Sequence, residues 1–187
     1  MALIKETTHH DARVITLDNP PINALGFAIS GELVPAIERA ENDPNVAAVI
    51  IVGANGIFSG GADINDFIRE PSYKSTNVRH VIAAIERGKK TYIAAIESTA
   101  LGGGLELALG CDYRIAKAGA KVGQPEIKLG IIPGAGATQR LPRLIGAQPA
   151  LELMLKGDAI DAKRAKELGI IDEITGGLKT AGYAAKG

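Results

Sequence analysis

Residues 46–52, Val-Ala-Ala-Val-Ile-Ile-Val, are an unbroken apolar run rich in β-branched side chains. A run without polar alternation has no face to give to water. It therefore predicts a strand buried on both sides of a sheet, and such strands belong to parallel sheets covered by helices. The preceding segment fits that requirement. From Phe27 to Ala40 the apolar residues Ile29, Leu33, Ala36, Ile37 and Ala40 recur at helical spacing, and Asp43-Pro44 ends the period. The same alternation returns further on. Residues 78–87 predict a helix, residues 91–96 a second buried strand, and residues 104–109 a helix after a glycine turn. At the start, residues 2–8 and 13–18 read as two strands joined by a polar His9-His10-Asp11 turn, after which Pro20-Pro21 breaks the pattern. After Ile115 come a short extended piece, a stretch punctuated by Pro125, Gly130, Pro133, Gly134 and Gly136, two or three helices over residues 138–168, and a last strand near residues 170–174. Strands alternating with helices predict an α/β fold with much parallel pairing.

A chain of 187 residues suits one domain with a full core. Residues 1–175 are expected to form it. Residues 176–187, small and without an amphipathic repeat, are expected to be a poorly ordered tail. Twenty-one basic side chains balance twenty-one acidic ones, so no net field favours nucleic acid or an anionic membrane. No run of about 18 apolar residues suggests a membrane span, and a soluble, unsecreted protein is expected. The single cysteine, Cys111, excludes an internal disulfide framework and any multi-cysteine metal site. That fits a reducing compartment: a bacterial cytoplasm, with mitochondrial matrix and peroxisome left open. Cys111 itself reads as a small core residue. His9 and His10 in a turn and His80 alone on a helix supply no ligand set, so no metal is expected.

Glycine is in excess, at 23 residues, and it concentrates where buried strands end. Small residues there let backbone N–H groups approach a ligand without interference from Cβ. Three segments share this property. In the first, residues 57–64, Gly60 and Gly61 precede Asp63, which reads as a helix cap with Asp66 in the position of a capping-box acid. The second, residues 100–112, sets Gly102, Gly103 and Gly104 ahead of a short apolar helix, a positive terminus suited to an anion or a developing oxyanion. No Gly-Lys-Ser/Thr follows and no Gly-x-Gly-x-x-Gly is present, so nucleotide fingerprints fail. Glu106, in the first turn among leucines, is either an exposed acid that satisfies the helix dipole or a buried one with a raised pKa. The third, residues 123–141, carries Glu126 between Pro125 and an apolar run, and poses the same pair of readings. Two acids with apolar neighbours and a nearby amide site can deprotonate water, deliver a proton and stabilise developing charge. Lys128, Arg140 and Arg143 read equally as phosphate contacts or as solvated surface.

In order and spacing, Phe58-Ser59-Gly60-Gly61-Ala62-Asp63-Ile64, Gly102-Gly103-Gly104-Leu105-Glu106 and Gly123-Gln124-Pro125-Glu126 through Gln139-Arg140-Leu141 resemble the signatures of the crotonase (enoyl-CoA hydratase/isomerase) superfamily. Asn19-Pro20-Pro21-Ile22-Asn23-Ala24-Leu25 also fits, and resembles most the N-terminal part of multifunctional β-oxidation proteins. The likeness covers residues 3–175, with Ala137 standing where many relatives have glycine. The resemblance implies a crotonase-like superhelix of repeated ββα units. It implies that Gly60 and Gly103 amides form an oxyanion hole, that Gly60, Gly61, Ala62, Asp63 and Gly103 line the coenzyme A site, and that Glu106 and Glu126 are the catalytic pair. The implied activity is hydration of 2-trans-enoyl-CoA. Its alternatives are Δ3,Δ2-enoyl-CoA isomerisation and a catalytically silent acyl-CoA-binding or assembly fragment. No resident cofactor is implied: coenzyme A is part of the substrate, and NAD enters only where a dehydrogenase part follows. Members of this superfamily continue into helices that close the acyl pocket and build trimers, so a truncated chain, homo-oligomeric at full length, is expected.

Overall fold

The computed structural model describes residues 2–68 and 76–176. Apart from Gly176, the expected tail lies outside the described residues. The elements in chain order are β1 (Ile4–His9), β2 (Ala12–Leu17), α1 (Phe27–Asn42), β3 (Ala48–Gly53), α2 (Asn65–Ile68), α3 (Val78–Arg87), β4 (Thr91–Ile96), β5 (Thr99–Leu101), α4 (Gly103–Leu109), β6 (Tyr113–Lys117), β7 (Lys121–Gly123), α5 (Ala137–Ile145), α6 (Ala147–Lys156), β8 (Ile160–Asp161), α7 (Ala162–Leu168) and β9 (Glu173–Thr175). A six-stranded sheet runs β1-β2-β3-β4-β6-β9, and a three-stranded sheet runs β5-β7-β8. In the larger sheet β1 pairs antiparallel with β2 through the His9-His10-Asp11 turn, and every other pairing is parallel. The α/β class expected from the alternation is the class observed.

The core follows from the two periods. On α1 the fully buried residues include Ile29, Leu33, Ala36, Ile37 and Ala40, the stripe read from the sequence. On β3, Val49, Ile50 and Ile51 are all inaccessible, which leaves that strand no solvent face. The strand starts at Ala48 rather than Val46 because the amides of Val46 and Ala47 are bound outside the sheet, to the Asp43 and Asp11 carbonyls at 3.1 and 2.7 Å. Three strands escaped the hydrophobic pattern, β8 being only two residues long. β5 is three residues long and merges into the glycine turn, while β6 carries Arg114, whose buried guanidinium is held by Asp172 (2.7 Å) and by the carbonyls of Ile170 (2.8 Å) and Cys111 (2.7 Å). The final strand is displaced: Ile170 and Ile171 are buried, but the ladder begins at Glu173.

Three chain segments leave this scaffold side by side. Ser59 donates its amide to Thr99 O (3.0 Å) and accepts from the Leu101 amide (3.0 Å), so residues 57–62 lie along β5. Gly102 N donates to Gly123 O at 2.9 Å, which ties the start of α4 to the end of β7. The Asn19–Leu25 stretch walls the far side. Asn23 donates to the carbonyls of Ala54 (3.1 Å) and Ile57 (2.6 Å), and the Ile22 carbonyl accepts from Gly60 N at 2.8 Å. Glycine at 104 is what lets α4 press against residue 59: a Cβ there would stand 2.7 Å from both Ser59 Cβ and Ser59 O. Backbone this close cannot yield cheaply. Gly104→Ala is therefore expected to cost about 1–3 kcal/mol by overpacking and to lower Tm by roughly 5 °C; an unchanged thermal melt would show that the two segments tolerate separation.

Candidate active site

The three glycine-bearing segments meet at one cavity of about 440 Å3. Gly60–Asp63, then Gly102, Gly103 and Glu106, then Pro125 with Glu126 line it. Val78, Leu129 and Ile131 add apolar lining. Every site residue read from the sequence reaches this cavity or its wall, and the roles then follow from which groups are still free to act.

Glu106 is 2% exposed. Of its two readings, the buried acid is the one realised. Its Oε1 accepts from the amides of Ala135 (2.7 Å) and Ala137 (2.9 Å), in the loop leading into α5. Burial pushes its pKa up, while those two amides and the nearby guanidinium groups of Arg140 and Arg79 pull the other way. Glu126 begins a 3-10 turn, Glu126–Leu129, and is 9% exposed. Burial, with the Glu106 charge adding to it, pushes its pKa up to about 7. Both carboxyls thus sit above the ordinary carboxylate range; two backbone donors oppose burial at Glu106, and Glu126 is poised to hold a proton near neutrality. Glu126 sits over the glycine turn: a Cβ on Gly102 would come within 3.1 Å of its Oε1. Gln124, fully buried, orients it. With the amide set so that NH2 faces the carboxylate, Gln124 donates to Oε1 at 2.9 Å and to Oε2 at 3.0 Å. The sequence reading passed over Gln124; its place two residues before an acid in a buried turn was the available signal.

The oxyanion assignment requires a correction. Gly60 N is spent on Ile22 O, so it has no hydrogen to offer a ligand. Gly61 N is spent on Ser59 Oγ at 3.1 Å. The Ala62 amide faces away from Leu25 in the parallel bridge between those residues, and donates to no acceptor among the described residues. Gly103 is the first residue of α4, where the amide has no intrahelical acceptor. These two amides adjoin: a Cβ on Gly103 would be 3.3 Å from Ala62 N. The pair able to bind an oxyanion is therefore Ala62 with Gly103. Gly60 instead supplies close packing, since a Cβ there would strike Ile22 Cδ1 at 2.8 Å.

The capping box at Asp63 also fails. Asp63 Oδ1 does accept from Asn65 N at 3.0 Å, a local cap of α2, but the Asp66 carboxylate turns to the first amide of α1, Phe27 N, at 2.6 Å. Other residues are structural. His80 Nδ1 accepts from Asn77 N in the capping box of α3, and the Cys111 thiol is buried and pushed up to about 12. Lys128 pairs with Asp158 (2.7 Å) and Arg140 with Glu86 (2.6 Å), while Arg143 donates to Gln139 O (2.7 Å). Among the described residues no group of three or more His, Cys, Asp or Glu side chains is placed to hold a metal ion.

A model of the enoyl-CoA hydratase/isomerase family matches residues 8–183. The chain belongs to that family. Its relatives include a peroxisomal bifunctional enzyme of Danio rerio, 49% identical over 173 residues, which cover 91% of this chain and 23% of that protein. A probable enoyl-CoA hydratase of Bacillus subtilis (strain 168) is 45% identical over 163 residues, 84% of this chain and 63% of that one. Among solved structures, an enoyl-CoA hydratase from Bacillus anthracis superposes with a TM-score of 0.82 at 37% identity, covering 92% of this chain and 70% of that chain. The chain thus spans about a quarter of the length of the bifunctional relatives, and its fold is the crotonase-like fold of the family.

The raised pKa of Glu126 has a consequence for folding. A carboxyl with ordinary value 4.5 in the unfolded chain and about 7 in the folded one binds its proton more tightly when folded. Its contribution to stability is fully present below about 4.5 and is lost as the pH rises through about 7. Glu126→Gln removes that loss, so the melting temperature of the variant relative to the wild type should climb between pH 4 and pH 8, by about 2 °C or more. A difference in Tm that stays flat across that range would place the Glu126 carboxyl in water.

Proposed function

We propose that the chain hydrates 2-trans-enoyl-CoA thioesters to 3-hydroxyacyl-CoA, the hydration step of fatty-acid β-oxidation. The observation that carries this reading is a single cavity holding two buried carboxyls in opposed environments together with two unspent amides. Glu106 takes a proton from water, and the resulting hydroxide oxygen bonds to C3. The electron pair of the double bond moves onto the thioester carbonyl as an enolate. Ala62 and Gly103 amides receive that charge in fixed positions, Gly103 adding the positive end of α4. Glu126, protonated near neutrality, delivers its proton to C2. Water has then been added across the double bond, and proton exchange with solvent restores both acids. No oxidant enters, so no resident cofactor is part of the proposal; NAD would belong only to a dehydrogenase part elsewhere in a longer protein.

Likeness to the Bacillus subtilis and Danio rerio relatives supports this substrate class, and supports a bacterial cytoplasm or a peroxisome as the setting. Coenzyme A is proposed to run along Gly60, Gly61, Ala62 and Asp63. The unit proposed to act is residues 1–175, assembling as a trimer-based homo-oligomer at full length. Ile132 and Leu155, which are 74% and 65% exposed, supply apolar surface for such assembly. Isomerisation of the Δ3 double bond is the second reading. It needs only one acid/base to move a proton from C2 to C4, and Glu126, with its pKa at about 7, suits it.

Substitutions at the two acids separate these readings. Glu126→Gln should lower both hydration and isomerisation about 10²–10⁴-fold, the loss expected of a general acid. Glu106→Gln should cut hydration comparably while sparing isomerisation more, because only hydration activates water. Loss of crotonyl-CoA absorbance measures the first reaction, and near-normal turnover in either variant would sink the assignment. For the amides, proline is tolerated at the first helical position. Gly103→Pro, whose Cβ would lie 3.3 Å from Ala62 N, should lose about 10²-fold in kcat once folded; full turnover in a folded, acyl-CoA-binding variant would move the oxyanion site elsewhere.

A further inference from the structure

The two amides that hold Glu106 belong to a loop with little means of holding itself. Residues 133–137 read Pro-Gly-Ala-Gly-Ala, so no side chain longer than a methyl group or a proline ring anchors them. Ala135 and Ala137 pack into the core and Gly136 O accepts from the Gln139 and Arg140 amides, at 3.0 and 2.9 Å, but the carbonyls of Gly134 and Ala135 are held by side chains elsewhere. Two guanidinium groups make those bonds. Arg79 Nε donates to Gly134 O at 2.6 Å, and Arg140 NH1 donates to Ala135 O at 3.0 Å. Arg140 is itself fixed: its Nε and NH2 both donate to Glu86 Oε1, at 2.8 and 2.6 Å. Arg79 and Glu86 are seven residues apart on α3, two turns along one face. One helix thus grips the loop at two places, directly through Arg79 and through the Glu86–Arg140 pair.

Gly136 makes the grip possible. Its φ is +112°, and a Cβ there would collide with Arg140 NH1 at 2.0 Å. The residues on either side of that glycine, Ala135 and Ala137, donate their amides to Glu106.

We propose that Arg140 and Arg79 are positioning residues for Glu106: they clamp residues 134–136 so that the Ala135 and Ala137 amides hold the Glu106 carboxylate in its water-activating orientation. This rests on the proposed role of Glu106 in hydration. Neither arginine need touch substrate. Their charge acts in the same sense as their hydrogen bonds, because a cation near Glu106 favours the ionised base against its burial. The charged groups facing Glu106 are Arg140 from α5, Arg79 from α3 and the opposing Glu126, with Glu86 offsetting part of the Arg140 charge. Removing a guanidinium therefore raises the pKa of the base, and the acid limb of the rate profile moves to higher pH.

The test uses the whole chain with Arg140→Met, Arg140→Lys and Arg79→Met. Two quantities are read: kcat and KM for crotonyl-CoA across pH, and the pH midpoints at which the Ala135 and Ala137 amide NMR signals shift in substrate-free protein. Arg140→Met should lower kcat on the order of 10- to 100-fold with KM within about twofold. Its acid limb and both amide midpoints should move upward together. Arg140→Lys should restore the limb and part of kcat, since it returns the charge without the fork. Arg79→Met leaves the Glu86–Arg140 pair in place and gives the same reading should Arg140→Met fail to fold. Amide midpoints and acid limb unmoved in these variants would overturn the proposal, as would a rise in KM matching the fall in kcat, which would make the arginines substrate contacts. A wild-type chain without hydratase turnover would overturn the functional reading instead, and the substrate-free titration alone would then decide the clamp.

Discussion

Everything in this site depends on how closely the backbone at residues 102–104 approaches the backbone at residues 59–62. No side chain intervenes. Gly61, at φ +121°, leaves room for Leu101 O, and Gly104 lies flush against Ser59. That contact sets the Ala62 and Gly103 amides side by side, and it points α4 so that Glu106 enters the cavity from its first turn. The parallel sheet beneath exists, in functional terms, to deliver these chain ends to one place. Ligand sites at the carboxyl ends of parallel strands are a general outcome of such architecture.

The electrostatics depend on the same closeness. Two carboxyl groups beside one cavity cannot both ionise without cost, and the protein separates them by giving them unlike partners. Glu106 receives two main-chain donors at under 3 Å, which offset its burial. At Glu126 burial and its neighbour's charge prevail over the donors it has, which include Gln124 on both of its oxygens. Neither state is written in the glutamates themselves. Each follows from the turn on which the residue sits.

How much of this was legible in the sequence differs by kind of signal. Hydrophobic period gave α1 and α3, and the buried runs gave β3 and β4, because burial on one face or on both leaves a direct imprint on composition. It missed β5, which is too short to show a period, and β6, where Arg114 is buried only because Asp172 and two carbonyls meet it. The glycine turns disclosed the cavity, and the two glutamates within them both line it. Which amide is free was not legible. Gly60 and Ala62 differ only in whether a carbonyl from the Asn19–Leu25 stretch lies opposite, a long-range fact that no local pattern carries. The Asp66 carboxylate was misread for the same reason: its partner, Phe27 N, is 39 residues away. Arg79 and Arg140 bind carbonyls, and a carbonyl has no residue type to recognise.

The loop at residues 133–137 implies an uneven tolerance to genetic drift. Its amides serve Glu106 whatever side chains flank them, so exchanges among small residues at positions 135 and 137 leave the hydrogen-bond donors in place. Position 136 is different: any side chain there meets both a left-handed backbone and a guanidinium. The apolar lining at Val78, Leu129 and Ile131 carries no such constraint and can vary in size while the two carboxyls and their partners stay fixed. A catalytic apparatus built from main chain separates what evolves from what cannot.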